Sequence, residues 1–251
     1  MPAPHAWPDP PERMPTHAEK KLLRYTPEQS NGPVTIYLAA VTSIERPAEQ
    51  VLLLVTDTAS HRLLAREFAD KDALTNLESA IWAALRAGGA DQHRLAEMQA
   101  RRRAAEAIAA RPTLATRSLL VLLGIVAVIE VAWPAFGNVA RLIQLGGNTP
   151  VLIREGQVWR LLSAAFLHVN ILHFVFNATA LWAFGIVLER LIGSRRLVTV
   201  FVLSAVGGNL LSFCFGRHGV SVGASSAIFG LMGALLVIQL RFARHVPASF
   251  R

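Results

Sequence analysis

The stretch Val222-Gly223-Ala224-Ser225-Ser226-Ala227-Ile228-Phe229-Gly230 sets a Gly-x-Ser turn at the mouth of an apolar run that continues to Leu240. Upstream, His168, His173 and Asn177 crowd the start of a second apolar run. Polar side chains inside membrane-spanning segments are costly and read as functional by default. Here they are a nucleophile type and a set of hydrogen-bond donors, which suits peptide-bond hydrolysis inside a bilayer.

Working outward, four runs approach the roughly 20 residues that a helix needs to cross a hydrocarbon core. They are Ser118–Phe136, Ile171–Leu188, Leu197–Phe215 and Ala224–Leu240. The first carries Glu130 near its far end, within expected reach of the interface. The expected architecture is an all-α polytopic membrane protein of four spans, preceded by a small α/β region. With the N-terminus inside, the cytoplasmic flanks hold Arg101, Arg102, Arg103, Arg111, Arg117, Arg190, Arg195, Arg196, Arg241, Arg244 and Arg251. The external loops hold only Arg141, Arg154, Arg160 and Arg217, so the arginine bias predicts a cytoplasmic N-terminus.

The charge is divided in the same way. Residues 1–117 carry a net +1, and residues 118–251 a net +7 with almost all of the long apolar runs. The positive charge comes from arginines flanking membrane segments, not from a basic groove, and nucleic-acid binding is not expected. Hydrophobic residues make up 53% of the chain and the mean hydropathy is +0.39, high for a soluble globular protein. Twenty-two arginines against three lysines, with abundant alanine, suit a GC-rich bacterial genome, so the expected location is a bacterial inner membrane. Cys214 is the sole cysteine, which excludes disulfides and cysteine-based metal sites within one chain.

Residues 1–33 are polar and proline-rich, contain nothing like a signal peptide, and are expected to be disordered. Residues 34–116 read as a small cytosolic α/β module with a connecting helix. Val34–Leu38 and Val51–Val55 suggest two short strands around a turn at Glu45-Arg46-Pro47. Asp72 suggests a cap for a helix through Leu77, Ile81 and Leu85 to Gly88-Gly89, and Asp91 a cap for another that ends before Pro112. Residues 117–251 form the expected membrane domain. Within it the loop 137–170 is long, and loops of that length are functional or disordered. Its apolar content, including Leu142, Ile153, Val158 and Phe166, favours a segment lying partly in the interface. Trp159-Arg160 reads there as an anchor, an aromatic body beside a snorkelling cation.

Each polar feature also has a plainer reading. Ser226, Gly230 and Ala234 make a small-residue stripe of the kind that packs membrane helices together. A Gly-x-Ser-x-Gly elbow is not met, because Ala227 fills the last position and no strand precedes it. His173 and Asn177 share one helix face and serve either as interhelical hydrogen-bond glue or as an oxyanion hole, with His168 as a buttress. A metal site is not expected, since His168 and His173 lack an acidic third ligand. No cofactor or nucleotide is implied.

The order of these pieces resembles the rhomboid family of intramembrane serine proteases over about residues 117–243. The matching segments are Trp159-Arg160, then His168, His173 and Asn177, then Gly185 with Glu189-Arg190-Leu191-Ile192-Gly193-Ser194, then Gly223 through Gly233. The resemblance implies a rhomboid-like helical bundle with Ser225 as nucleophile. It also implies an oxyanion site made by His173, Asn177 and the Ser225 backbone N–H, with single-pass membrane proteins as substrates. Ser226 stands where the family usually has glycine.

The family takes its general base from a histidine on a sixth core helix, and this sequence ends at Arg251, after the fourth. His245 lies 20 residues past Ser225, about 30 Å along a helix and on the far side of the membrane. The chain as given is therefore expected to lack the base, to be inactive alone, and to self-associate or seek complementing helices. The alternative is a non-catalytic rhomboid-like protein that binds transmembrane segments.

Overall fold

The computed structural model describes residues 22–25, 34–56, 59–67, 72–87, 90–216, 219–243 and 246–250. They form two compact units, one up to Ala109 together with Pro247 onward, the other from Ala110 to Val246.

The first unit is α/β. Strands β1 (Leu22–Tyr25) and β2 (Val34–Tyr37) pair antiparallel. Disorder had been expected throughout 1–33, yet residues 22–25 gain a strand because β2 supplies their ladder. The other residues of 1–33 lie outside the described set. Strands β3 (Val41–Ala48), β4 (Val51–Thr56) and β5 (Ser60–Leu64) form a separate antiparallel meander. The expected turn at Glu45-Arg46-Pro47 is instead the end of β3. Proline is tolerated there because β3 is an edge strand whose register shifts between Glu45 and Ala48. Glu45 is buried, and its carboxylate accepts the N–H groups of Ala248 and Ser249. Helices α1 (Ala73–Ala87) and α2 (Gln92–Ala109) complete the unit, their apolar faces packing Leu74, Ile81, Leu85 and Met98 against Ile44, Leu52 and Leu54. Asp91 accepts the His93 N–H and so caps α2, while Gly88-Gly89 lie outside the described residues.

The second unit carries α3 (Leu114–Ala132), the short helices α4 (Val139–Gln144), α5 (Pro150–Arg154) and α6 (Arg160–Ser163), then α7 (Ile171–Ile192), α8 (Ser194–Phe215) and α9 (Ser225–Phe242). Helices α3, α7, α8 and α9 are the four spans. In each, fewer than a third of the most apolar 18 residues are buried. A soluble protein does not leave that much contiguous apolar surface facing outward, whereas lipid accepts it. The chain is a multi-pass membrane protein. Its internal seam is narrow: Leu123, Leu181, Leu188, Leu197, Phe201, Ala227 and Leu231 form one cluster.

Close approach of α8 and α9 comes from small residues. Adding a Cβ at Gly208 would strike Ser226, and adding one at Gly230 would strike Ser204. The first of α3's orphan N–H groups are satisfied from afar. Glu189, buried on α7, accepts Ala115 N and Thr116 N at 2.8 Å each and the Ser194 hydroxyl at 2.6 Å. This explains why α3 begins at Leu114, four residues before the expected Ser118.

Candidate functional site: the serine turn and the start of α7

Loop 137–170 is built rather than loose. Asn138 caps α4 by accepting the Arg141 N–H, and Pro150 opens α5. The Gly137 N–H reaches the Val169 carbonyl, joining the two ends of the loop. Arg160 does not snorkel. Its side chain is buried, donating through Nη1 to the carbonyls of Ile143 (2.6 Å) and Gly147 (3.1 Å) and through Nε to Gln157. The guanidinium supplies a second donor to the Ile143 carbonyl, which already accepts the Gly146 N–H, and a donor to the Gly147 carbonyl beyond the turn at Gly146 (φ +112°). Trp159 is exposed, with its ring lying over the Arg160 guanidinium.

This loop holds the serine turn in two places. Asn148 and Ser221 exchange backbone hydrogen bonds as an isolated antiparallel bridge. Two residues on, the Gly223 N–H donates to the Ala164 carbonyl at 2.8 Å. Gly223 has φ +124°, and a Cβ there would fall 2.5 Å from Cε1 and 2.9 Å from Nε2 of His173. Only glycine fits both the backbone conformation and the contact. The turn before Ser225 is therefore seated on the His173 imidazole.

Ser225 is the first residue of α9 and is exposed. The first helical bond of α9 runs from Ile228 N to Ala224 O, and no side chain caps this end. The N–H groups of Ser225 and Ser226 consequently point along an uncapped, partly positive helix start, as an anion-stabilising group requires. The stripe reading belongs to Ser226, which faces Gly208; Ser225 stands apart from it.

His173 is held in the first turn of α7, where Asn170 caps the helix by accepting the His173 N–H at 2.8 Å. One turn later Asn177 is buried and donates an amide N–H back to the His173 carbonyl, also at 2.8 Å. An amide has a second N–H, so a donor remains for a ligand. His168 is fully buried, its ring 5.3 Å from that of His173 and nearly perpendicular to it. Burial, and then the neighbouring His173, push the His168 imidazole down to about 4, so it is neutral near pH 7.

Several polar residues here had no role in the sequence reading. Glu130, expected near the interface, is fully buried, because its Oε1 accepts the His168 peptide N–H at 2.6 Å. Asn209 in mid-span accepts from Asn148 and donates to the Leu161 carbonyl, tying α8 to the loop. A lone asparagine in an apolar run was the available signal.

Residues 155–249 match the family model described as a rhomboid domain. The chain is similar to the rhomboid protease GluP of Bacillus subtilis (strain 168), 41% identical over 103 residues, which cover 41% of this chain and 20% of that protein. It is 44% identical over 96 residues to rhomboid-like protease 1 of Toxoplasma gondii, covering 37% of this chain and 32% of the relative. With RHOMBOID-like protein 1 of Arabidopsis thaliana it shares 42% identity over 89 residues, covering 36% and 23%. The matched segment spans no more than about a third of any of these three relatives.

Proposed function

We propose that this chain, whose residues 155–249 match a rhomboid domain, contributes to an intramembrane serine endopeptidase acting on transmembrane segments. Ser225 Oγ attacks the scissile carbonyl carbon. The oxygen that becomes negative is stabilised by His173, Asn177 and the Ser225 N–H, which are oriented before the substrate arrives. The C–N bond breaks and the amine leaves carrying the proton given up by Ser225, and water then hydrolyses the acyl ester, releasing the acid and restoring the Ser225 hydroxyl. In the family the serine proton passes to a histidine on a later helix, and no residue described here is assigned that role. On this reading the arginine bias sets a cytoplasmic N-terminus, and the arginine- and alanine-rich composition suits a bacterial inner membrane. The first unit serves as a docking or regulatory module.

The single observation that supports this reading is the contact of Gly223 with His173, between the turn before Ser225 and the first of the two proposed donors. The test is co-expression with a single-pass membrane substrate. Cleavage that disappears with Ser225→Ala while expression holds supports the reading, and cleavage that persists contradicts it. Capture of the substrate by wild type without any cut favours the non-catalytic binder.

A further inference from the structure

Glu130 takes no part in the chemistry above, yet it is held in the interior beside the site. Its Oε1 accepts the His168 peptide N–H, while its Oε2 has no hydrogen-bond partner and lies 3.9 Å from His168 Nδ1. Both side chains are fully buried, and neither ring nitrogen of His168 makes a hydrogen bond of ordinary geometry, the Phe166 backbone acting on the ring only from outside that geometry. Buried polar atoms without partners are uncommon and destabilising, so their persistence points to a use of the arrangement. On its other side the His168 ring meets His173 edge-on at 5.3 Å and Phe174 at 5.5 Å. The His173 ring then meets Gly223 of the serine turn. Contacts thus run in a line from α3, through the end of the loop, to the start of α7 and the turn before Ser225.

We propose that Glu130 and His168 are positioning residues of the oxyanion site: Glu130 fixes the His168 peptide, and the His168 ring fixes the plane of His173 against Gly223. The proposal rests on His173 being an oxyanion donor. His168 sits in irregular chain, three residues before α7, where its N–H has no helical acceptor. The Glu130 carboxylate supplies that acceptor from another helix and so decides where the loop ends. A ring held this way leaves His173 one setting, edge-on to His168 and with its Cε1–Nε2 edge towards the turn. An oxyanion donor gains most from being fixed before the substrate arrives.

The test is nitrogen-15 NMR of histidine-labelled full chain in detergent, with the His173 signals assigned by loss in His173→Gln. Glu130→Leu and His168→Ala are expected to shift the His173 ring signals and split or broaden them as the ring gains a second setting. Glu130→Gln keeps a carbonyl acceptor and is expected to leave them near wild type. Glu189→Gln, altered at the distant carboxylate, is expected to lower stability while leaving His173 unchanged, which separates positioning from general destabilisation. Unchanged His173 signals in His168→Ala overturn the proposal, as does a Gln variant at 130 that moves them as far as Leu does. If Glu130→Leu fails to fold, His168→Ala decides alone, since it retains the peptide that Glu130 holds. The spectrum does not depend on Ser225 reacting, so this failure is distinct from cleavage that survives Ser225→Ala.

Discussion

Glu189 and Glu130 are both carboxylates buried on membrane helices, in the last turns of α7 and α3, and their surroundings differ. Glu189 receives three donors, two peptide N–H groups of α3 and the Ser194 hydroxyl. Glu130 receives one, and its second oxygen is left facing an imidazole that itself makes no hydrogen bond of ordinary geometry. Burying a charge is tolerable where hydrogen bonds replace water, and Glu189 is such a case: it fastens the start of one span to the end of another. Glu130 is incompletely satisfied next to His168, His173 and the serine turn. The first region is arranged for stability, and the second keeps a partly satisfied carboxylate behind the residues proposed as oxyanion donors.

The sharpest way to break that contrast is Glu189→Ala. Removing the carboxylate that these donors share leaves two peptide N–H groups of α3 without acceptors, a loss of about 3–5 kcal/mol. Thermal unfolding in detergent reads this as a large drop in midpoint, with a smaller one for Glu189→Gln. A loss below ~1 kcal/mol would remove the capping account.

The pH response comes next and belongs to the other region. His168 is held near 4 when folded against 6.5 unfolded, so the unfolded chain binds a proton that the folded chain refuses. Stability is then full above about pH 6.5 and is lost as pH falls towards 4, by up to about 3 kcal/mol. The charged or titratable groups facing this ring are Glu130 and His173. His168→Phe keeps a ring against Phe174 and His173 and is expected to flatten the slope between pH 6.5 and 4. A slope unchanged in that variant assigns the proton elsewhere.

Gly223→Ala sharpens the contrast from the serine side. A φ of +124° strains any L side chain, and the new methyl would press on the His173 ring. The expected loss is about 1–3 kcal/mol in stability, accompanied by a shift of the His173 NMR signals that Glu189→Gln does not produce. The smallest effect is Asn209→Leu, which removes the side-chain bonds from α8 to Asn148 and to the Leu161 carbonyl while the Asn209 backbone carbonyl still accepts from Asn148. Interhelical polar bonds of this kind are worth about 0.6 kcal/mol on average, up to about 1.7, so a midpoint change of a few degrees is expected.

What the sequence made legible follows from the range of each interaction. Apolar runs of span length announce α3, α7, α8 and α9 because lipid imposes a length and a composition on any helix that crosses it. His173, Asn177 and Ser225 stand out in such runs as polar groups, and the structure brings the turn at Gly223 onto the His173 ring. The start of α3 was not, since Leu114 opens the helix on the strength of a carboxylate on α7, far along the chain. Arg160 was misread for the same reason: a cation beside a tryptophan looks like an interfacial anchor until the carbonyls of Ile143 and Gly147 are seen to turn towards it. Glu130 was assigned to the interface because helix position alone gives depth, not which neighbour supplies a peptide N–H. In the first unit, Pro47 signalled a turn, whereas an edge strand with a register shift accepts it.

The central claim is that the serine turn is seated on the imidazole at the start of α7. The most direct measurement is a proton NOE experiment on the full chain in deuterated detergent, between the Gly223 α-protons and the His173 ring Hε1. The contact of Gly223 with Cε1 predicts a strong cross-peak. Its absence, with His173 Hε1 instead showing cross-peaks to detergent acyl chains when protonated detergent is used, would contradict the account.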